Sequence, residues 1–179
     1  MTGEPRPLTV LDLPAMKAAG RRVVVLTCYD AAFARLLEDA GVDVLLVGDS
    51  VNQVLAGHDT TLSATLDQMI YHAASVRRGA RRALIFVDLP FLTYQVSVED
   101  AIRNAGKVLQ ESGAHGVKLE GGRPMAETVR ALVDRGILGV KDEVKTAVEA
   151  RLIVKRVSGE EPEDIVVDRV DAEAPVYDE

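Results

Sequence analysis

VVVLTCYDAAFARLLEDAGVDVLLVGDS, residues 23–50, holds two apolar runs with an amphipathic segment between them. Arg22 to Asp30 is rich in β-branched residues and reads as a strand. Ala31 to Ala40 follows with Phe33, Leu36, Leu37 and Ala40 at i, i+3, i+4 and i+7, the spacing of one helix face. Asp30 stands where a carboxylate caps the first turn, and Gly41 where the chain leaves the helix. Val42 to Val47 (VDVLLV) is a second strand. Strand, helix and strand in succession predict a parallel βαβ unit, since parallel neighbours need a crossover.

The pattern recurs along the chain as far as residue 137. After the irregular segment 48–64, Thr65 and Gln68 form a capping-box pair opening a helix with Leu66, Met69, Ile70 and Ala73 inward. Ala83 to Val87 is the third strand, and Ser97 starts a helix with Ile102, Ala105, Val108 and Leu109 on one side. Gly116 to Leu119 is the fourth strand, followed by a helix lined by Met125, Val129, Leu132 and Val133. Four consecutive βα units predict an α/β fold with a parallel sheet covered by helices. Residues 1–137 form that unit. Leu138 to Val157 is expected as one charged helix with Val140, Val144, Ala147 and Val148 on a face, giving a divergent segment 138–158. Residues 159–179 are expected as an acidic solvated tail in which Ile165 to Val170 forms one edge strand. The fourth strand's open edge would be covered by that helix, since an unpaired parallel edge invites association.

Composition removes several classes. The chain has 179 residues, 28 acidic and 21 basic, for a net charge of -7, and 47% of it is hydrophobic, enough for a packed core. The tail 159–179 carries nine acids and only Arg169, so the first 158 residues sum to about +1. That balance argues against nucleic acid or an anionic membrane surface as partner. No stretch approaches the roughly 20 apolar residues of a membrane span, and the start MTGEPRPLTVLDL lacks a signal peptide's apolar segment. The single cysteine, Cys28, excludes a disulfide within the chain and favours a reduced, cytoplasmic setting.

All four strands end in a carboxylate: Asp30, Asp49, Asp88 and Glu120. Strand C-termini of a parallel sheet converge on the face where ligands bind. Asp30 is read as a helix cap; Asp49, Asp88 and Glu120 are read together as a site. Carboxylates gathered there repel one another, and a hard divalent cation, magnesium or manganese, relieves the repulsion. Lys118 and Glu120 are two apart on a strand and share a face, so Lys118 is either the counter-charge for a substrate carboxylate or a Schiff-base amine. Cys28 is read as a packing residue and His72 and His115 as structural; His58 falls in no ligand spacing. Phe33 and Tyr71 fit core faces.

Four ordered segments carry a resemblance: residues 23–50 quoted above, GHDTTLSATLDQMIYHAASVRRGA (57–80), ALIFVDLPFLTYQ (83–95) and GAHGVKLEGG (113–122). From about residue 8 to 137 they closely resemble the ketopantoate hydroxymethyltransferase family. The resemblance implies the N-terminal half of a (βα)8 TIM barrel of the phosphoenolpyruvate/pyruvate superfamily, in a magnesium-dependent enzyme that is usually a large homo-oligomer. It implies hydroxymethyl transfer from 5,10-methylenetetrahydrofolate to 3-methyl-2-oxobutanoate, giving 2-dehydropantoate for pantothenate biosynthesis through a metal-stabilised enolate. Carried over motif by motif, Asp49 and Asp88 are metal ligands and Glu120 the third acid of the metal site. Ser50, Asp49, Asp88 and Lys118 contact the keto acid, with Lys118 placing positive charge where the oxyanion develops. The family's later HIG...TPQ motif, its glutamate general base and its GIGAG strand end do not occur here, and His58 stands where the family commonly has Tyr. The chain is therefore expected to be shortened or altered after about residue 137. Two readings follow: an enzyme, with a second half-barrel covering the open sheet, or an inactive remnant that binds metal and keto acid or joins full-length subunits.

Overall fold

The computed structural model describes residues 6–142, 150–154 and 163–167. Helix α1 (Asp12–Ala18) precedes β1 (Val25–Thr27) and α2 (Ala31–Asp39). Next come β2 (Val44–Val47), the single turn α3 (Val51–Val54) and α4 (Leu66–Gly79). Then follow β3 (Leu84–Asp88) with α5 (Val98–Ser112), and β4 (Gly116–Glu120) with α6 (Ala126–Val133). Beyond them lie β5 (Leu138–Asp142), β6 (Ala150–Val154) and β7 (Glu163–Val167). The strands lie side by side in sequence order, parallel from β1 to β5 and antiparallel from β5 to β7.

Local chemistry accounts for where the helices begin. The Asp30 carboxylate accepts from the amides of Ala32 and Phe33, Thr65 and Gln68 complete a reciprocal capping box, and the Ser97 hydroxyl accepts from Asp100 N. Successive strand residues point to opposite faces. Leu45, Val47, Ile85, Val87, Val117 and Leu119 bury one face under Met69, Ala73 and Val76 of α4 and Ala101, Ala105 and Val108 of α5. Val44, Leu84 and Phe86 on the other face meet Leu13 and Met16 of α1, which closes that face at its lower end. The same alternation carried two residues further puts Asp88 on the α1 side, at the top. At the bottom, buried Asp43 accepts from Arg21 and Arg82 (2.7 Å each) and from the Val24 amide (3.2 Å), tying β1 to β2.

Two expectations are corrected. Leu138 to Val157 is not one helix: β5 and β6 occupy Leu138–Asp142 and Ala150–Val154, and residues 143–149 and 155–158 lie outside those described. The free edge of β4 offers a full ladder, from Gly116 against Leu138 to Glu120 against Asp142, and a segment carrying Gly139 and Val140 is a poor helix competitor. Gly139 also lets β5 approach α6, since a side chain there would meet Val129 at 3.4 Å. Strand β7 takes in Ile165–Val167 of the expected edge strand; 168–170 lie outside the described residues, as does the rest of the acidic tail. The second correction concerns aromatic and apolar side chains assigned to the core. Phe33, Leu36 and Tyr71 are 59%, 61% and 68% exposed, while Ala34 is the fully buried residue of α2. Strand β1 ends the sheet, so among the described residues Phe33 and Leu36 of α2 have no further strand unit to pack against. Among the described residues no helix is long and apolar enough to cross a membrane.

Candidate active site

The C-terminal ends of β2, β3 and β4 deliver their acids to one cleft of about 120 Å³, lined by Asp49, Thr61, Leu62, Asp88, Leu89, Phe91, Tyr94, Gln95, Lys118 and Glu120. Register accounts for the centre of it: Asp88 and Lys118 are direct partners across β3 and β4, so their side chains stand on the same face. Lys118 Nζ donates to Asp88 Oδ1 at 2.6 Å and lies 3.4 Å from Glu120 Oε1. The amide of Asp49 donates to Asp88 Oδ2 at 3.3 Å. Gly48 permits this approach, because a Cβ there would lie 2.8 Å from Ser50 Oγ and 3.5 Å from Asp88 Oδ2. Ser50 Oγ in turn is bonded to the Tyr29 hydroxyl at 2.9 Å.

Burial pushes the Asp88 carboxyl up to about 6, against the Lys118 ammonium, which draws it down by charge and hydrogen bond; the Asp49 charge adds to the rise. A carboxyl raised above its unfolded value binds more protons folded than unfolded between about 4 and 6. Its ionisation therefore costs stability as pH rises through that window, on the order of 3 kcal/mol at most. Comparison with Asp88→Asn in chelator-treated buffer isolates the contribution. The thermal midpoint of the variant is expected to gain on the unsubstituted chain steadily from pH 4 to pH 7; parallel curves would contradict it.

The loop over the cleft has its own anchor. Asn52, buried in α3, donates through Nδ2 to the Thr60 carbonyl (2.7 Å) and to Ser63 Oγ (2.9 Å), on either side of cleft residues Thr61 and Leu62. Removing these bonds with Asn52→Ala is expected to cost about 1–3 kcal/mol and to speed proteolytic cleavage within residues 57–63, read by limited digestion.

The remaining sequence candidates take the parts expected of them or lie elsewhere. Asp30 is a cap, and Cys28 is buried, its thiol raised chiefly by desolvation. His72 donates from Nδ1 to the Tyr29 carbonyl at 2.8 Å, and half-buried His115 accepts at Nδ1 from the Ile85 amide, its pKa lowered by desolvation. His58 does not line the cleft. Tyr29, Asn52 and Tyr94 are the side chains that pattern reading left out. Tyr94 sits in the quoted FLTYQ motif, whose Pro90 and Phe91 mark a loop at a strand end; only the fold shows that it turns back into the cleft.

Among the described residues no three carboxylates or imidazoles converge into a finished metal cage. Asp49 and Asp88 are adjacent and all-oxygen, which suits a hard divalent cation, whereas Glu120 is turned to Lys118.

Five parallel strands with α4 and α5 packed on one face, α1 closing the lower end of the other, and acids at the strand ends define the class. Solved structures share it: a 2,3-dimethylmalate lyase of the PEP mutase/isocitrate lyase superfamily matches with TM-score 0.56 at 17% identity over 75% of this chain and 53% of that one. A phosphonopyruvate hydrolase in complex with oxalate and Mg++ matches with TM-score 0.57 at 12% identity, over 75% and 52%. At these identities the likeness speaks for the fold alone, part of a TIM barrel. Residues 7–140 match the family model of ketopantoate hydroxymethyltransferase, and the chain belongs to that family. The 3-methyl-2-oxobutanoate hydroxymethyltransferase of Azoarcus sp. (strain BH72) is 55% identical over 132 residues, 74% of this chain and 48% of the relative. The chain thus spans about half the length of the curated relatives it matches.

Proposed function

We propose that the cleft binds 3-methyl-2-oxobutanoate and serves hydroxymethyl transfer from 5,10-methylenetetrahydrofolate to it, giving 2-dehydropantoate. The observation that carries this reading is the part-buried Asp88–Lys118 pair beside Asp49, at the strand ends of a chain that matches the family over residues 7–140. Asp49 and Asp88 would hold magnesium, and Glu120 would join as the third acid of the metal site on turning away from Lys118. The metal, when bound, would supply Lewis acidity that weakens the C–H bond next to the keto group and stabilises the enolate. The solved phosphonopyruvate hydrolase complex with oxalate and Mg++ supports the pairing of a two-carbon dianion with a cation in this fold.

The chain's own residues have distinct tasks in this reading. Lys118 carries the positive charge that draws a carboxylate in and offsets negative charge developing on the keto oxygen. Ser50, oriented by the Tyr29 hydroxyl, offers its Oγ to the same ligand. Thr61, Leu62 and Phe91 line the cleft and would face the branched aliphatic end. The setting would be cytoplasmic, and association with further polypeptide as a homo-oligomer is supported by the exposed apolar strip of Val24, Val25, Leu26, Phe33 and Leu36 along β1 and α2. A discontinuous assay of purified protein with the keto acid, methylenetetrahydrofolate and magnesium tests the activity: 2-dehydropantoate above background is expected, and none would remove turnover from the proposal.

Ligand binding without turnover, alone or joined to full-length subunits, is a second reading. One observation favours it: the acids lining the cleft, Asp49, Asp88 and Glu120, are those already assigned to cation and substrate.

A further inference from the structure

Tyr94 is 5% exposed, yet it lines the cleft together with Asp49, Asp88, Lys118 and Glu120. Its position is held from both sides. The preceding residue, Thr93, bonds to the Pro90 carbonyl through its amide (3.1 Å) and hydroxyl (2.6 Å), and its own carbonyl accepts from Asn104 Nδ2 of α5 at 2.6 Å. On the far side, the Tyr94 hydroxyl oxygen accepts the backbone N–H of Glu120 at 3.1 Å. That bond uses a lone pair and leaves the phenol proton unspent. Among the described residues no acceptor takes it. A buried hydroxyl with an idle proton is an energetic cost unless a partner arrives.

Resting on the reading of the cleft as a 2-oxo acid site, we infer that Tyr94 donates its phenol hydrogen bond to an oxygen of the bound 2-oxo acid. The phenol is suited to it: desolvation, and the carboxylates of Glu120 and Asp88, raise its pKa, so it stays protonated throughout the range in which Asp88 titrates. It also differs in kind from Lys118. The lysine attracts any anion, whereas a neutral, rigidly placed O–H rewards an oxygen at one position and so selects for geometry. A core phenol needs no such orientation; Phe would fill the same space.

The chain has no tryptophan, so its near-ultraviolet absorbance reports tyrosine. Titration of the intact chain with 3-methyl-2-oxobutanoate, and separately with oxalate, in magnesium is expected to give a tyrosine difference band. Tyr94→Phe is expected to abolish the band and to weaken binding about tenfold. Binding by the intact chain without a difference band, or equal affinity in Tyr94→Phe, overturns the role of Tyr94 and leaves the cleft as the ligand site. Failure of both ligands to bind the intact chain overturns the inference together with the reading beneath it. Should Tyr94→Phe not fold, the band is read in Tyr29→Phe, which leaves Tyr94 as the tyrosine lining the cleft: a band that persists there supports the role, and its loss overturns it.

Discussion

Lys118→Met is expected to lower the thermal midpoint at pH 8 by roughly 10 °C and to reduce 2-oxo acid binding at least 100-fold. The stability loss follows from the partner left behind. Asp88 is buried and ionised at that pH, and removing one member of a buried pair costs about 3–5 kcal/mol, which for a domain of this size corresponds to about 2–4 °C per kcal/mol. Asp88 has an escape that most buried carboxylates lack, because its pKa already stands at about 6 and loss of Lys118 moves it higher. The deficit is therefore expected to shrink at pH 5, where the carboxyl takes up a proton. Denaturation followed at pH 5 and pH 8 checks this: a deficit equal at both values would mean that Lys118 acts through packing alone. The binding loss is larger than for Tyr94 because a charge, rather than a neutral donor, is removed from a site that receives an anion.

The second large effect lies away from the chemistry. Gly79→Ala is expected to destabilise the chain by about 3 kcal/mol or more, enough to threaten folding at 37 °C. A Cβ on Gly79 would stand 2.3 Å from the carbonyl oxygen of Ala31 and 2.7 Å from its Cα. Both are backbone atoms of the first turn of α2, fixed by the Asp30 cap, so no side chain can rotate away. Urea denaturation with circular dichroism measures it; a loss below about 1 kcal/mol would show that α2 and α4 slide apart freely.

Gly79 also marks what a sequence can tell. As the last residue of a helical stretch it reads as a terminator, yet its space is set by Ala31, 48 positions earlier. The βα units, the caps at Asp30, Thr65 and Ser97, and the placing of Asp49, Asp88 and Glu120 along one cleft are legible because each depends on local periodicity or on equivalent positions along successive strands. Phe33 and Leu36 depart from the expected burial for a related reason. Their helical spacing is correct, but burial depends on a neighbour beyond β1, which periodicity cannot supply. The helix expected from Leu138 onward gives way at Leu138–Asp142 to pairing with the open edge of β4, a tertiary effect that spacing does not carry. Tyr94 was out of reach, since its hydroxyl meets Glu120 across 26 positions through a loop with no periodicity at all.

The central claim is that Asp49, Asp88 and Lys118 form a cation-assisted 2-oxo acid site within this chain. Isothermal titration calorimetry of 3-methyl-2-oxobutanoate into the purified protein, with magnesium and then with chelator, tests it most directly. Saturable one-site binding in magnesium that disappears with chelator, and in Asp88→Asn, is the predicted result. Equal binding with and without the metal, or none in either condition, would contradict it.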